Sequence, residues 1–260
     1  MLERLEEAKR IAKKAGLLVL KYYKSRDFEA KQKSERKGDY LTKVDLLSQE
    51  LIIKEISKKF SQDGIISEEQ ENSKLKNEFI WVIDPIDGTR GFVNQTGDFA
   101  VHIGILKNDK PVIGVVYAPT TKELFYAMKG KGAYCNGSKI KVDKRVKDLR
   151  GICSLSIFFN RRLKDFYWKM EFESLTVNGG TGLKMCKIAR GDFDFLIYDK
   201  LTFNEWDLCA PMVILEEAKG KVSHDDLSIP KFNKRKYKFS RIVVASNGKC
   251  HDVVLSSLKG

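Results

Sequence analysis

An apolar run that ends in acid, FIWVIDPIDGTRGF over residues 79–92, constrains this chain more than any other stretch. Phe79 to Ile83 read as a strand, which delivers Asp84, a proline, and then Asp87, Gly88 and Thr89. Proline at 85 fixes φ and withholds a backbone donor, so the turn is stiff and the two carboxylates can converge on one point. Two oxygen anions held that close repel each other unless a cation lies between them, and an all-oxygen donor set suits Mg²⁺. The backbone N–H groups of Gly88 and Thr89, at the start of a helix, offer a cradle for phosphate. On composition alone the same residues would also make a good surface turn.

Three further acids bear on that choice. Glu68 and Glu69 in GIISEEQ follow another short apolar run, so they too sit at a strand end. Asp207 in EWDLCAPM falls in the first turn of a helical pattern, where an acid also serves as a cap. Asp45 in YLTKVDLL opens a helix in the same way, with the same alternative.

The rest of the chain frames these acids. Apolar positions Leu5, Ala8, Ile11, Ala12, Ala15, Val19 and Tyr22 predict an amphipathic helix over residues 1–24. A second helix is expected over Asp45–Phe60, with Leu46, Leu47, Ile52, Ile53 and Ile56 on one face, and the lysine-rich stretch between the two reads as a hairpin or loop. FIWVID, FAVHIGIL, PVIGVVYAP, KELFYAM and GKGAYCNG predict consecutive antiparallel strands. Later segments predict a helix ending near Gly191, another ending near Gly220, a strand after each, and a closing strand and helix. No repeat or linker appears, so two halves packed together, 1–150 and 151–260, are expected.

Composition narrows the class. At 260 residues and 42% hydrophobic content the chain can bury a sizeable core. Its longest apolar runs fall far short of the roughly 18 residues a membrane span needs. With a charge-mixed N-terminal segment, a cytosolic protein without membrane partners is expected. Five cysteines without a CxxC pair read as reduced, buried thiols. Three dispersed histidines leave imidazole chemistry no evident part. The net charge of +13 fits either a generally lysine-rich surface or a field that attracts polyanionic substrates. The lysines are not clustered with aromatics, so nucleic acid is not the expected partner.

WVIDPIDGTRGF, ISEE and EWDLCAPMVILEEAKGKV, in that order and spacing, resemble the sequence blocks of the inositol monophosphatase superfamily of metal-dependent phosphatases. GVVYAP, ELFYAMKGKGAYCNGSKIKV and RIVVASN extend the resemblance over nearly the whole chain. It implies an α+β fold layered as an α/β/α/β/α sandwich. It implies one Mg²⁺ held by Glu68, Asp84 and the carbonyl of Ile86, a second held by Asp84, Asp87 and Asp207, and a possible third near Asp45. Asp87, Gly88 and Thr89 would hold the phosphate, and Thr89 with Glu68 or Asp45 would activate water. The expected partner is a small phosphate ester, and the expected assembly a monomer or homodimer.

Within the superfamily, SEE, DGTRGF and GGTGLKMC lean toward the 3'(2'),5'-bisphosphate nucleotidases. That places Gly180, Thr181 and Lys184 at the second phosphate or the ribose, with 3'-phosphoadenosine 5'-phosphate as substrate and a link to sulfur metabolism. Glycine at 182, where serine is usual, and lysine at 219, where glycine is usual, depart from the pattern. The other substrates in view are inositol 1-phosphate, fructose 1,6-bisphosphate and histidinol phosphate. A basic anion binder without catalysis is the remote alternative, disfavoured because bare carboxylates repel phosphate.

Overall fold

In the computed structural model the described residues are 1–33, 40–69, 73, 75–153, 161–169, 173–177, 180–198, 203–233 and 237–259. The first helix, α1 (Leu2–Ser25), buries Leu5, Ala8, Ile11, Ala12, Ala15 and Val19, the stripe expected from its periodicity. Strands β1 (Ala30–Gln32) and β2 (Tyr40–Thr42) pair antiparallel, so the lysine-rich stretch is a hairpin whose tip lies outside the described residues. The next helix, α2 (Lys43–Lys59), turns a different face inward from the one expected. Ile52 and Ile56 are buried, but so are Asp45, Ser48 and Gln49, while Leu46 and Leu47 are exposed. Polar groups take the inward face because they bond the ends of β3 and β4: the Ser48 hydroxyl donates to the Pro85 carbonyl, and the Gln49 amide oxygen accepts from the Ser67 hydroxyl and the Glu69 N–H.

Seven strands form the first sheet: β3 (Gly64–Ser67), β4 (Phe79–Asp87), β5 (Ala100–Lys107), β6 (Lys110–Ala118), β7 (Glu123–Met128), β8 (Ala133–Cys135) and β9 (Ser138–Ile140), hydrogen-bonded in that order. A short helix, α3 (Thr89–Val93), follows β4. From β4 to β9 each pairing is antiparallel, as expected, and β3 joins β4 in parallel. The second sheet has the order β11-β10-β12-β14-β13, from β10 (Arg150–Cys153), β11 (Ser174–Val177), β12 (Phe195–Tyr198), β13 (Lys221–His224) and β14 (Val243–Ser246). Helices α4 (Arg161–Lys169), α5 (Thr181–Arg190), α6 (Glu205–Glu217) and α7 (His251–Lys259) complete the chain.

Three apolar clusters define the layers. Ile11, Ala15 and Ile52 of α1 and α2 pack on Trp81, Ile83, Ile103 and Val115, one face of the first sheet. Ile80, Val82 and Val116, from the other face, meet Leu183, Leu208 and Val213 of α5 and α6, which also touch Leu196, Val222 and Ala245 of the second sheet. Phe195, Ile197 and Val244 on that sheet's outer face meet Leu163 and Phe166 of α4 and Val254 and Leu255 of α7. The result is helix, sheet, helix, sheet, helix. Both faces of each sheet are covered, so strands such as FIWVI are apolar throughout and do not alternate.

Two glycines seat the central layer. Gly104 and Gly114 face each other across β5 and β6. A Cβ on Gly104 would stand 2.5 Å from Cys209 Sγ, and one on Gly114 would stand 2.1 Å from the Ala210 carbonyl. The backbone of α6 therefore lies directly on the sheet, which carries the helix's first turn and Asp207 to the end of β4.

Candidate active site

A parity change brings the first two acids together. Asp84 pairs with His102, and Asp87 with Ala100, so β4 carries one residue more than its partner between these points. Residues three apart on a regular strand point to opposite faces; one extra residue puts Asp84 and Asp87 on the same face. Pro85 occupies the bulge, where no ladder donor is needed. Gly88 follows with φ of 86°, and a Cβ there would meet the Asp98 carbonyl at 2.6 Å.

Asp45 and Asp207 arrive by a shared device. Each is the third residue of its helix, and each carboxylate reaches back to close a capping box, α2 on Thr42 and α6 on Asn204. Asp45 Oδ2 accepts from the Thr42 N–H at 2.8 Å and from its hydroxyl at 2.6 Å. Asp207 Oδ2 accepts from the Asn204 N–H at 2.7 Å. Cap and site are thus not alternatives here, because one oxygen caps and the other is left for chemistry. Asp45 Oδ1 lies 3.2 Å from Thr89 Oγ1, whose hydroxyl is also 3.0 Å from the carbonyl of Ile86.

One carboxylate oxygen from each of Asp84, Asp87 and Asp207 lies within 4.8 Å of the other two. Burial, and then repulsion from Glu68, Asp87, Asp207 and Asp45, pushes the Asp84 carboxyl well above its ordinary range. Asp207 is raised well above its range by burial and by Asp87 and Glu68. Burial lifts Asp45 to about 6 against the hydrogen bonds from Thr42, and lifts Glu68 to about 7. Such a set of acids is short of positive charge, and its donors are all hard oxygens. That combination fits divalent magnesium rather than a softer metal.

Asp87 differs from its neighbours. Burial would raise it, but His102 and the amides of α5 outweigh burial and hold it below the usual range. Thr181 N–H donates to its Oδ1 at 2.9 Å and Gly182 N–H to its Oδ2 at 2.8 Å. Gly180 lies so close that a Cβ there would fall 2.6 Å from Oδ2. Two opening amides of α5, those of Thr181 and Gly182, are thus engaged with Asp87.

Lys184, expected at the second phosphate or the ribose, is a buried residue of α5. It is 2% exposed, with its ammonium 5.5 Å from the centre of the Tyr198 ring. Burial lowers it to about 8, with Asp87 the first of the opposing influences. Sequence reasoning gave no role to two other neighbours. Lys33, beside β1, places Nζ 2.8 Å from Glu68 and 2.6 Å from Glu69. His102 Nε2 lies 3.1 Å from Asp87 Oδ2, which brings imidazole to the site against expectation. A lone histidine in an apolar strand carries no spacing signal that would have revealed it.

A family model described as the inositol monophosphatase family matches residues 1–259. A fructose-1,6-bisphosphatase/inositol-1-monophosphatase of Aquifex aeolicus is 34% identical, over 84% of this chain and 85% of its own. A Nus factor SuhB of Pasteurella multocida is also 34% identical, over 84% of each chain. The solved IMPase of Thermotoga maritima superposes with a TM-score of 0.86 at 28% identity, covering 99% of this chain and 97% of its own. On the family match and these identities, the chain belongs to the inositol monophosphatase family of phosphatases.

Proposed function

We propose that this chain is a Mg²⁺-dependent phosphomonoesterase for small phosphorylated polyols and sugars, with inositol 1-phosphate and fructose 1,6-bisphosphate as its first substrates. The observation that carries the reading is the buried convergence of Asp84, Asp87 and Asp207, supplied by a strand bulge and a capped helix. Relatives at 34% and 30% identity are named for both activities. Glu68, Asp84, Asp87, Asp207 and the Ile86 carbonyl would hold two or three Mg²⁺. When bound, those ions neutralise phosphate charge and acidify water.

The chain's own groups do the rest. Thr89 donates its hydroxyl hydrogen toward Asp45 and so turns its lone pairs toward the attacking water. Asp45, lifted to about 6, is poised to accept a proton near neutral pH. Glu68 is the weaker choice for that task because Lys33 already occupies it. Gly88 and Thr89 offer backbone donors to the phosphate.

A second reading, hydrolysis of 3'-phosphoadenosine 5'-phosphate, is favoured by Lys184, a buried cation on α5 near Asp87. Phosphate release with Mg²⁺ from inositol 1-phosphate, fructose 1,6-bisphosphate, histidinol phosphate and the nucleotide separates the two. Preference for the first pair is expected. Nucleotide preference, lost in Lys184→Met with inositol 1-phosphate turnover intact, would establish the second reading instead. No release from any ester would sink both.

A further inference from the structure

The geometry points to His102 as a positioning residue for divalent-ion binding, acting through Asp87 in space that Gly182 leaves open. The inference rests on the metal reading above and concerns a residue that this reading does not use.

His102 lies on β5, fully buried, on the face covered by α5. Because of the β4 bulge, its register partner is Asp84 and the partner of Ala100, two residues back, is Asp87. The imidazole therefore projects beneath both acids. Nε2 comes to 3.1 Å from Asp87 Oδ2 but outside hydrogen-bond alignment, and neither ring nitrogen has an aligned partner among the described residues. Buried polar groups are rarely left so, which asks for a reason beyond packing.

A carboxylate offers about four lone-pair sites. Oδ2 of Asp87 faces the Gly182 amide and the imidazole, and among the described residues Oδ1 accepts from the Thr181 amide alone. Oδ1 is thus the oxygen left for an ion. The Gly182 amide holds Oδ2 and the imidazole packs against the same oxygen, so together they leave the carboxylate little room to rotate. The pairing with position 182 is obligatory: a Cβ on Gly182 would stand 2.2 Å from Nε2 and 2.3 Å from Cε1 of His102. Any side chain at 182 must shift the imidazole or lift the first turn of α5, and either disturbs the packing against Asp87. Groups behind a ligating carboxylate commonly set metal affinity by about 10–100-fold.

Calorimetric titration of Mg²⁺ into the wild-type chain, His102→Phe, His102→Asn and Gly182→Ala tests this without reference to turnover. His102→Phe fills the volume without a donor and is expected to bind Mg²⁺ about 10–100-fold more weakly. His102→Asn, which keeps a donor, should recover most of the affinity, as a purely space-filling role would not require. Should His102→Phe fail to fold, Gly182→Ala reads the same contact from the other side and is expected to weaken binding too. Wild-type affinity in His102→Phe, or in Gly182→Ala where the first does not fold, would overturn the inference alone. Absence of Mg²⁺ binding by the wild-type chain would overturn the metal reading itself, and the inference with it.

Discussion

Asp194 and Asp84 are equally withdrawn from water, at 0% and 1% exposure, and their surroundings are opposite. Asp194, beside β12, is fully provided for. Its carboxylate accepts from the Arg150 backbone N–H at 2.8 Å, from the Arg150 guanidinium at 3.1 and 3.2 Å, and from Asn247 at 3.2 Å. Asp84, on β4, accepts one hydrogen bond among the described residues, from the Ile86 N–H at 3.1 Å, and faces four other acids. A buried charge that is paired and hydrogen-bonded holds a fold together. One left among like charges weakens the protein alone and is retained for what it binds.

Substitutions at the two carboxylates should therefore have opposite signs. The largest expected effect is on activity: Asp84→Asn should lower kcat/KM by on the order of 10⁴-fold, about 5 kcal/mol of transition-state stabilisation. The same change should raise the metal-free protein's resistance to urea, because it removes a charge that repels four others. Asp194→Ala should do the reverse. It removes the acceptor of the Arg150 backbone N–H, of the half-buried Arg150 guanidinium and of Asn247, and should cost about 3 kcal/mol in urea unfolding. A stabilising Asp194→Ala or a destabilising metal-free Asp84→Asn would break the contrast.

Next in size is the seat of α6. Gly114→Ala places a methyl against the Ala210 carbonyl and should cost about 1–3 kcal/mol in thermal or urea unfolding. Because it lifts the helix that carries Asp207, it should also raise the Mg²⁺ concentration needed for half-maximal activity.

The same contrast has a pH dependence. Asp45 and Glu68 are raised to about 6 and 7 from ordinary values of 3.8 and 4.5. Between those limits the folded chain holds protons the unfolded chain has released, so metal-free stability from these acids falls as pH rises. His251 runs the other way. It is fully buried between the hydroxyls of Ser223 and Ser246, at 2.9 and 2.8 Å, and burial with Lys221 nearby lowers it from 6.5 to about 4. There the unfolded chain binds the extra proton, so stability from His251 is lost as pH falls from 6.5 toward 4. Metal-free His251→Asn should accordingly lose less stability than the wild-type chain on acidification over that window, read by urea unfolding at pH 4.5 and 6.5.

The smallest expected effect lies at Lys219, where φ is 76° just after α6. Lys219→Gly relieves a left-handed conformation that L side chains disfavour and should gain about 1 kcal/mol.

Much of this was legible in the sequence, for identifiable reasons. A stripe such as Leu5–Ala8–Ile11–Ala12 announces α1 because its pattern and its burial share one period. Asp84 and Asp87 alone could equally have made a surface turn; what pointed to a site was their recurrence with Glu68 and Asp207 in blocks that resemble the family's. The buried face of α2 was misread: Asp45, Ser48 and Gln49 point inward toward the site, which outweighs the helix's hydrophobic pattern, and Leu46 and Leu47 turn out. Lys184 was expected at the second phosphate or the ribose; that it would be almost wholly buried, with Asp87 among the charges acting on it, is something periodicity does not encode. The contact of His102 with Asp87 depends on a one-residue bulge, and register between strands is not written in either strand alone.

The central claim is that Asp84, Asp87, Asp207 and the acids around them are an incomplete cluster which Mg²⁺ completes. Urea unfolding with and without Mg²⁺, at pH 5 and pH 8, for the wild-type chain and Asp84→Asn, tests it most directly. The account predicts that Mg²⁺ stabilises the wild-type chain, more at pH 8 than at pH 5 because the ligands must be deprotonated, and leaves Asp84→Asn nearly unchanged. Equal stabilisation of both proteins, or none of the wild-type chain at pH 8, would contradict it.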